Sequence, residues 1–429
     1  MIFVYTNKIT ERLRYICHFI FGEQLGMEFS IIDDFYFCTQ YKGAILNYSL
    51  EDFEKDVFVI RPIGLLSETN IRAKQLEIYE QNGYKAFFKT DSASDLGFDL
   101  LSAAFYLLSR YEEYLPHEKD MYGRFAHEQS LAFKNDFLHL PLINIWLDDF
   151  AQQLNKKFPE LTFRRPSFKY LPTYDIDMAW SYKHKGLIRN IGGYISHPNS
   201  ARIKVLLGME KDPFDCYAFL DELHEQKNLS PIYFFLMAEK KGKYDKNISP
   251  HKSAMKKLIN AHAMKYPVGI HPSWKSNENA AVLKKEKNIL DNIAGKPVKL
   301  SRQHYIKFNL PDTYEKLLQA GIEKDYSMGY GSINGFRASV ASPFYWYNLK
   351  KEEYTSLIIY PFCFMDANAH FEQKQNTNHS LKELMHYYEM CKKVNGLFIT
   401  IFHNYMLGSE KEFEGWSELY QKFTVQIRQ

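Results

Sequence analysis

Over the first 165 residues the apolar positions change period several times, and beyond them they settle into a regular alternation of two rhythms. Met1–Tyr5 is a compact apolar run that predicts a strand. Leu13, Ile16, Phe19 and Ile20 then recur at helical spacing behind Thr10, whose hydroxyl suits a helix start. Short β-rich runs follow at Glu28–Ile32, Ala44–Tyr48 and Val57–Ile60. The strongest helical period of this part is Phe98–Tyr114, opened by Asp95, with Leu101, Phe105, Leu108 and Tyr111 on one face. A further helix is predicted from Pro141 to about Lys157. Phe158–Tyr170, with two prolines and two arginines, reads as a hinge. These elements predict a smaller α/β domain over residues 1–165.

From residue 166 onward strand and helix patterns alternate. Strands are predicted at Leu171–Ile176, Ile232–Met237, Val268–Ile270, Val298–Leu300, Ser356–Tyr360 and Leu397–Phe402, with shorter ones at Gly321–Tyr326 and Gly335–Ala338. Between them fall amphipathic helices at Phe214–Gln226, Ser253–Met264, Asn279–Ile293, Thr313–Ala320, Leu381–Val394 and Glu410–Val425. Thr313, Ser380 and Ser409 stand as N-caps, Gly321 and Gly396 as C-terminal stops. About seven or eight strand–helix units is the count of a (β/α) barrel, complete or distorted. An open doubly wound sheet is the alternative. No glycine-rich phosphate loop follows a strand, which argues against nucleotide binding.

Composition narrows the class. With 429 residues, 45% of them apolar and 16% aromatic, the chain is globular and long enough for two domains. Its net charge of +3 gives no reason to expect a nucleic-acid partner. Five scattered cysteines without a Cys-x-x-Cys pair read as free thiols in a reducing compartment. The N-terminus lacks a basic start followed by a long apolar run, and no stretch is long enough to span a bilayer, so a cytoplasmic location is expected.

The chemistry gathers at strand ends. Leu171-Pro-Thr-Tyr-Asp-Ile-Asp177 sets Asp175 and Asp177 two residues apart, on one face of a strand. The bland alternative has one capping a helix and the other meeting a lysine. His271 ends the Val268 strand, Arg302 and His304 follow the Val298 strand, Asp366 follows the Ser356 strand, and His403 ends the last. In a parallel barrel such positions share one rim, where chemistry sits. The Arg110, Glu112, Glu113, Asp120 and Arg124 cluster reads as a structural salt-bridge network. His184, His197, His251, His262 and His379 read as structural or solvent-exposed.

The strand-end motifs resemble those of the NodB-homology polysaccharide deacetylases, carbohydrate esterase family 4, in a divergent branch with an added N-terminal domain. The resemblance covers residues 166–429 and implies a distorted (β/α) barrel holding a divalent metal, zinc above others. It also implies an activity: removal of an acetyl group from an N- or O-acetylated sugar by hydrolysis of an amide or ester bond. Thr173-Tyr-Asp-Ile-Asp177 resembles the first motif, making Asp175 the base and Asp177 a ligand, although the family has adjacent acids and Ile176 intervenes here. Gly269-Ile-His-Pro-Ser-Trp-Lys275 resembles the second, making His271 a ligand, but Lys275 stands where the family has its second histidine. A protonated lysine has no lone pair to give. His304, in Ser301-Arg-Gln-His-Tyr305, is the nearest replacement, and Arg302 beside it resembles the arginine that orients the base. Ile401-Phe-His-Asn404 resembles the last motif, with His403 as the acid and Asp366 tuning it. Trp274, Tyr305 and Arg337 are candidates for holding the carbohydrate.

Two other readings stay open. In the first, Lys275 marks a barrel without metal, acting as a metal-free hydrolase or a glycan-binding accessory in surface-polysaccharide synthesis. Alternatively the N-terminal part, through its Arg110–Arg124 cluster, is the functional domain. Lacking a secretion signal, the expected substrate is a cytosolic precursor or short oligosaccharide.

Overall fold

The computed structural model describes residues 1–196 and 198–427, so His197 lies outside the described residues. In the first part, Ile2–Tyr5 lies between Phe29–Ile32 and Ile45–Asn47, with Phe58–Val59 outermost, all parallel. Thr10 caps the following helix as expected, its hydroxyl accepting the Leu13 N–H at 3.2 Å. The long predicted helix is shorter, Leu100–Leu108. Its cap is Asp99, which accepts the Ser102 N–H at 2.9 Å, while Asp95 turns to the Val59 N–H at 2.6 Å. Arg110 then takes a left-handed φ of 52° and breaks the helix before Tyr114.

The second sheet has nine strands in the order Phe344–Asn348, Glu353–Ile359, Lys324–Asp325, Leu300–Ser301, Val268–His271, Ile232–Leu236, Lys169–Ile176, Leu397–His403 and Phe364–Met365. Every neighbouring pair is parallel except the first, which is antiparallel. Among the described residues the ladder does not close into a barrel. Irregular backbone stands beside its end instead: the Phe362 N–H donates to the Met328 carbonyl at 3.1 Å and the Gly335 N–H to the Cys363 carbonyl at 2.9 Å. The predicted strand Gly335–Ala338 is part of this irregular run. Gly335 has φ 143°, and a Cβ there would meet Leu138 Cγ at 2.7 Å.

Several boundary markers shift because competing partners satisfy the helix ends. Asn376 rather than Ser380 caps Thr377–Lys393, and Asn395 rather than Gly396 takes the left-handed turn after it, with φ 52°. Thr313 lies inside Asp312–Gln319, its hydroxyl accepting the Asn309 N–H at 3.0 Å, and Gly321 follows with φ 76°. Ser409 precedes the final helix, Trp416–Gln426, without touching its start, which is left to Gly415. Two helices, Leu187–Ser196 and Ser200–Leu206, occupy a stretch with no predicted element.

One buried apolar cluster runs from Ile2 to Ile427 and unites both parts of the chain. Polar ties cross the same boundary. Arg110 pairs with Glu113 at 2.7 Å and Glu112 at 2.8 Å, and Arg337 grips Glu113 at 2.9 and 2.6 Å. Burial opposes the Glu113 charge, but the Arg337 and Arg110 guanidiniums hold its carboxyl at about 2. Among the described residues no helix is long and apolar enough to cross a membrane.

Candidate active site

Parallel register brings the polar strand ends to one rim. Asp175 stands opposite His403, His271 opposite Leu236, Ser301 opposite Ile270, and Met365 opposite Ile401. Period-two alternation sends Thr173 and Asp175 to one side, where both accept from Arg302 Nη1, at 2.7 and 2.9 Å. Tyr174, between them, points the other way and reaches His224 Nε2 at 2.7 Å.

Asp177 is the centre of the cluster. His271 Nε2 lies 3.1 Å from its Oδ1, His304 Nε2 3.5 Å and His403 Nε2 3.6 Å from its Oδ2. One ligand-type atom from each of Asp177, His271 and His304 falls within 4.8 Å of the others. Asp177 Oδ1 is nevertheless buried without a hydrogen-bond partner, so His271 Nε2 approaches it closely without donor alignment. The second nitrogens are already committed, which is how metal-ligating histidines are oriented. His271 Nδ1–H donates to the Arg302 carbonyl at 2.6 Å, and His304 Nδ1–H to Asp245 Oδ1 at 3.2 Å. Two imidazoles and a carboxylate make a donor set for a divalent cation.

Charge in this cluster is strongly coupled. Burial opposes the Asp177 charge, yet His304 and His271 hold its carboxyl well below the usual range. Burial likewise opposes a charged His304, but Asp177 and Asp245 raise it to about 9. A cation at Nε2 would therefore compete with a proton.

Two further pairs flank the cluster. Arg302 is fully buried, with Nε donating to the Tyr326 carbonyl at 3.0 Å and its guanidinium 4.4 Å from the centre of the Phe234 ring. That ring needs Gly269: a Cβ there would meet Phe234 Cδ1 at 2.4 Å. Asp175 Oδ1 is thus held by a fixed guanidinium, and Oδ2 lies 3.9 Å from His271 Nε2. His403 Nδ1–H donates to Asp366 Oδ1 at 2.6 Å, while Asp366 Oδ2 accepts the His403 backbone N–H at 2.7 Å. Burial lowers His403, but Asp366 outweighs it and raises the imidazole to about 9.

A cavity of about 350 Å³ opens over these groups, lined by Asp175, Asp177, His271, His304, His403 and Tyr305 among others. It also contains residues to which the strand-end pattern does not point. Tyr122 and Arg124 come from the N-terminal part, Arg124 Nη1 donating to the Tyr305 carbonyl at 2.6 Å. Gln303 and Asn368 line the same space, and Gln303 Nε2 and Asn368 Oδ1 are buried without hydrogen-bond partners. Asp245 orients His304 from a lysine-rich loop, where no strand end announces it. Trp274 stands beside the cavity, stacked on Tyr244 with centroids 3.9 Å apart. Lys275 is exposed on the short helix Trp274–Asn277. Arg337, a candidate for holding carbohydrate, is spent inside the protein: it is buried, paired with Glu113 and stacked 4.1 Å from the Phe308 centroid. The Arg110–Glu113 part of the charge cluster is structural, whereas Arg124 reaches the cavity.

Fold and site together describe a mixed α/β protein with parallel sheets and a carboxylate–imidazole cluster at one rim. Residues 2–159 match the model of a family of unknown function, DUF7033. A comparison with curated proteins gives no match. Among solved structures, the chain is similar to a protein described as a polysaccharide deacetylase from Mycobacterium smegmatis, at 12% identity and TM-score 0.40, over 62% of this chain and 86% of that one. It is also similar to a polysaccharide deacetylase from Bacillus cereus, at 12% identity and TM-score 0.31, over 61% and 88%. A GH57-type branching enzyme from Pyrococcus horikoshii is similar too, at 8% identity and TM-score 0.32, over 61% and 67%.

Proposed function

We propose that the protein is a metal-dependent hydrolase that removes an acetyl group from an acetylated sugar, at one rim of a distorted (β/α) barrel. The observation that carries this reading is the convergence of Asp177, His271 and His304 within 4.8 Å around an unpartnered carboxylate oxygen. A divalent ion held by these three, zinc by donor type, supplies a Lewis acid for the acyl carbonyl.

The protein's own groups supply the proton chemistry. Asp175 is the base. Arg302 occupies its Oδ1 and leaves Oδ2 to take a proton from the attacking water. His403 is the acid: Asp366 fixes the proton on Nδ1, and Nε2, facing Asp177, passes its proton to the leaving amine or alcohol. Gln303 and Asn368 offer a free donor and a free acceptor to the sugar hydroxyls or the acyl group. Tyr305 lines the cavity with an aromatic ring suited to a sugar, while Trp274 is covered by Tyr244 and by Lys307 Nζ 3.8 Å from its centroid.

The test is metal content and acetate release together. Protein purified without chelator is expected to carry near-stoichiometric metal and to release acetate from N-acetylated chito-oligosaccharides. Asp175→Asn is expected to keep the metal and lose turnover. Metal-free protein with no acetate release would sink the proposal. The stacked Tyr244–Trp274 pair beside the cavity favours a second reading, a glycan-binding protein without turnover. That reading predicts retained glycan binding in metal-free protein.

A further inference from the structure

The helix Leu187–Ser196 is inside out. Leu187, Ile188, Ile191, Tyr194 and Ile195 form one stripe at helical spacing, and all are exposed, Ile188 by 91% and Leu187 by 80%. The residue it buries is polar, Asn190, whose amide donates to the Tyr182 carbonyl at 3.1 Å. A helix of a globular protein does the opposite, turning its apolar stripe to the core. The neighbouring helix Ser200–Leu206 buries Val205 alone, and the chain just after it leaves Leu207 70% and Met209 72% exposed. Concentrated apolar exposure of this kind marks a contact surface.

The charge around the stripe is one-sided. Residues 183–211 contain six lysines and arginines and a single acid, Glu210. A second basic run, Lys240, Lys241, Lys243 and Lys246, adjoins it, with Arg189 donating to the Lys246 carbonyl at 3.2 Å. Two guanidinium nitrogens in this group, Arg189 Nη1 and Arg202 Nε, are buried without an acceptor. Burial above all, then Arg189, pushes Lys185 down to about 7, against the pull of Asp212. A second copy of the chain would bring like charge against like charge, so self-association does not suit this face.

From the outward apolar stripe and its basic border we infer that the helices Leu187–Ser196 and Ser200–Leu206, with Leu207 and Met209, are a docking surface for an anionic lipid bilayer. The apolar side chains enter the acyl boundary and the lysines and arginines meet headgroup phosphates, as interfacial amphipathic helices do. The segment follows the strand Lys169–Ile176, and Lys252 Nζ, just before the helix Ser253–Lys265, donates to the His184 carbonyl at 2.8 Å. The surface stands independently of the hydrolase reading.

The test is co-sedimentation of the full-length protein with phosphatidylglycerol–phosphatidylcholine vesicles and with pure phosphatidylcholine vesicles, at low and high salt. Binding is expected to the anionic vesicles and to weaken with salt. Ile188→Gln and Ile195→Gln are each expected to weaken it about tenfold, the loss for one buried aliphatic side chain. Both positions are exposed, so the melting temperature should not move. Arg189→Gln with Lys241→Gln is expected to weaken anionic binding and to lower its salt dependence. No sedimentation with anionic vesicles, equal binding to both vesicle types, or unchanged binding by the apolar variants would each overturn the inference. So would a wild-type dimer that Ile188→Gln converts to monomer, since a second copy would then cover the face.

Discussion

Replacing His304 by alanine separates the proposed metal ligands from their neighbours. Distance to Asp177 does not choose between imidazoles, since His304 Nε2 lies at 3.5 Å and His403 Nε2 at 3.6 Å. His304 joins Asp177 and His271 within 4.8 Å, and His403 stands outside that group, locked to Asp366 through both its ring and its backbone. An ion at 100 times its dissociation constant stabilises the folded state by about 2.7 kcal/mol. With an unfolding entropy of about 2.1 cal/mol/K per residue, the chain unfolds with about 0.9 kcal/mol/K, so melting should rise by about 3 °C. Losing one of three ligands should cost more than the roughly 10- to 100-fold in affinity of an outer-shell change. At the same zinc concentration the rise in His304→Ala then falls to about 0.5 °C or less. Asp245→Asn, which only loosens His304, should keep about 0.5 to 1.6 °C, and Lys275→Ala should keep all of it. Scanning calorimetry after chelator dialysis, with and without zinc, reads these shifts, and titration calorimetry gives the affinities. A full rise in His304→Ala, or its loss in His403→Ala instead, would refute the assignment.

Three other outcomes are expected. Arg302→Met should lower the acetate-release rate by about 10²-fold or more by freeing the base, while zinc binding measured by calorimetry stays within a few-fold of wild type. Glu113→Gln should destabilise the protein in urea by about 3–5 kcal/mol, because Arg110 and Arg337 lose their shared buried partner; a change below about 1 kcal/mol would contradict the structural role given to that network. Burial lowers His224 from 6.5 to about 4, so the unfolded chain takes this proton first. Its contribution is therefore complete above pH 6.5 and is lost as pH falls through about 4, reaching about 3 kcal/mol. Urea unfolding of wild type and His224→Gln across that range should diverge by this amount, and parallel curves would rule it out.

The period-two run Thr173–Asp177 and the strand-end positions of His271 and His403 were readable because side-chain direction in a strand follows from spacing alone. The Thr10 cap, the first strand and the Leu142–Lys157 helix were readable for the same local reason. Helix ends were less so. Asn376, Asn395 and Asp99 took caps assigned to Ser380, Gly396 and Asp95, because several polar residues near each end compete for the same orphan groups. The outward stripe of Leu187–Ser196 went unread as a helix, since a two-glycine segment interrupts its pattern.

Spacing along the chain determined which residues share a face and which end a strand, and so named Asp175, Asp177, His271 and His403 as neighbours in waiting. Tertiary structure alone decided the rest. Whether Arg337 meets carbohydrate or Glu113, whether His304 reaches Asp177, and whether Tyr122 and Arg124 enter the cavity all depend on side chains remote in sequence. Their meeting is set by how sheets and helices pack, and packing depends on the whole shape of the core rather than on any local period.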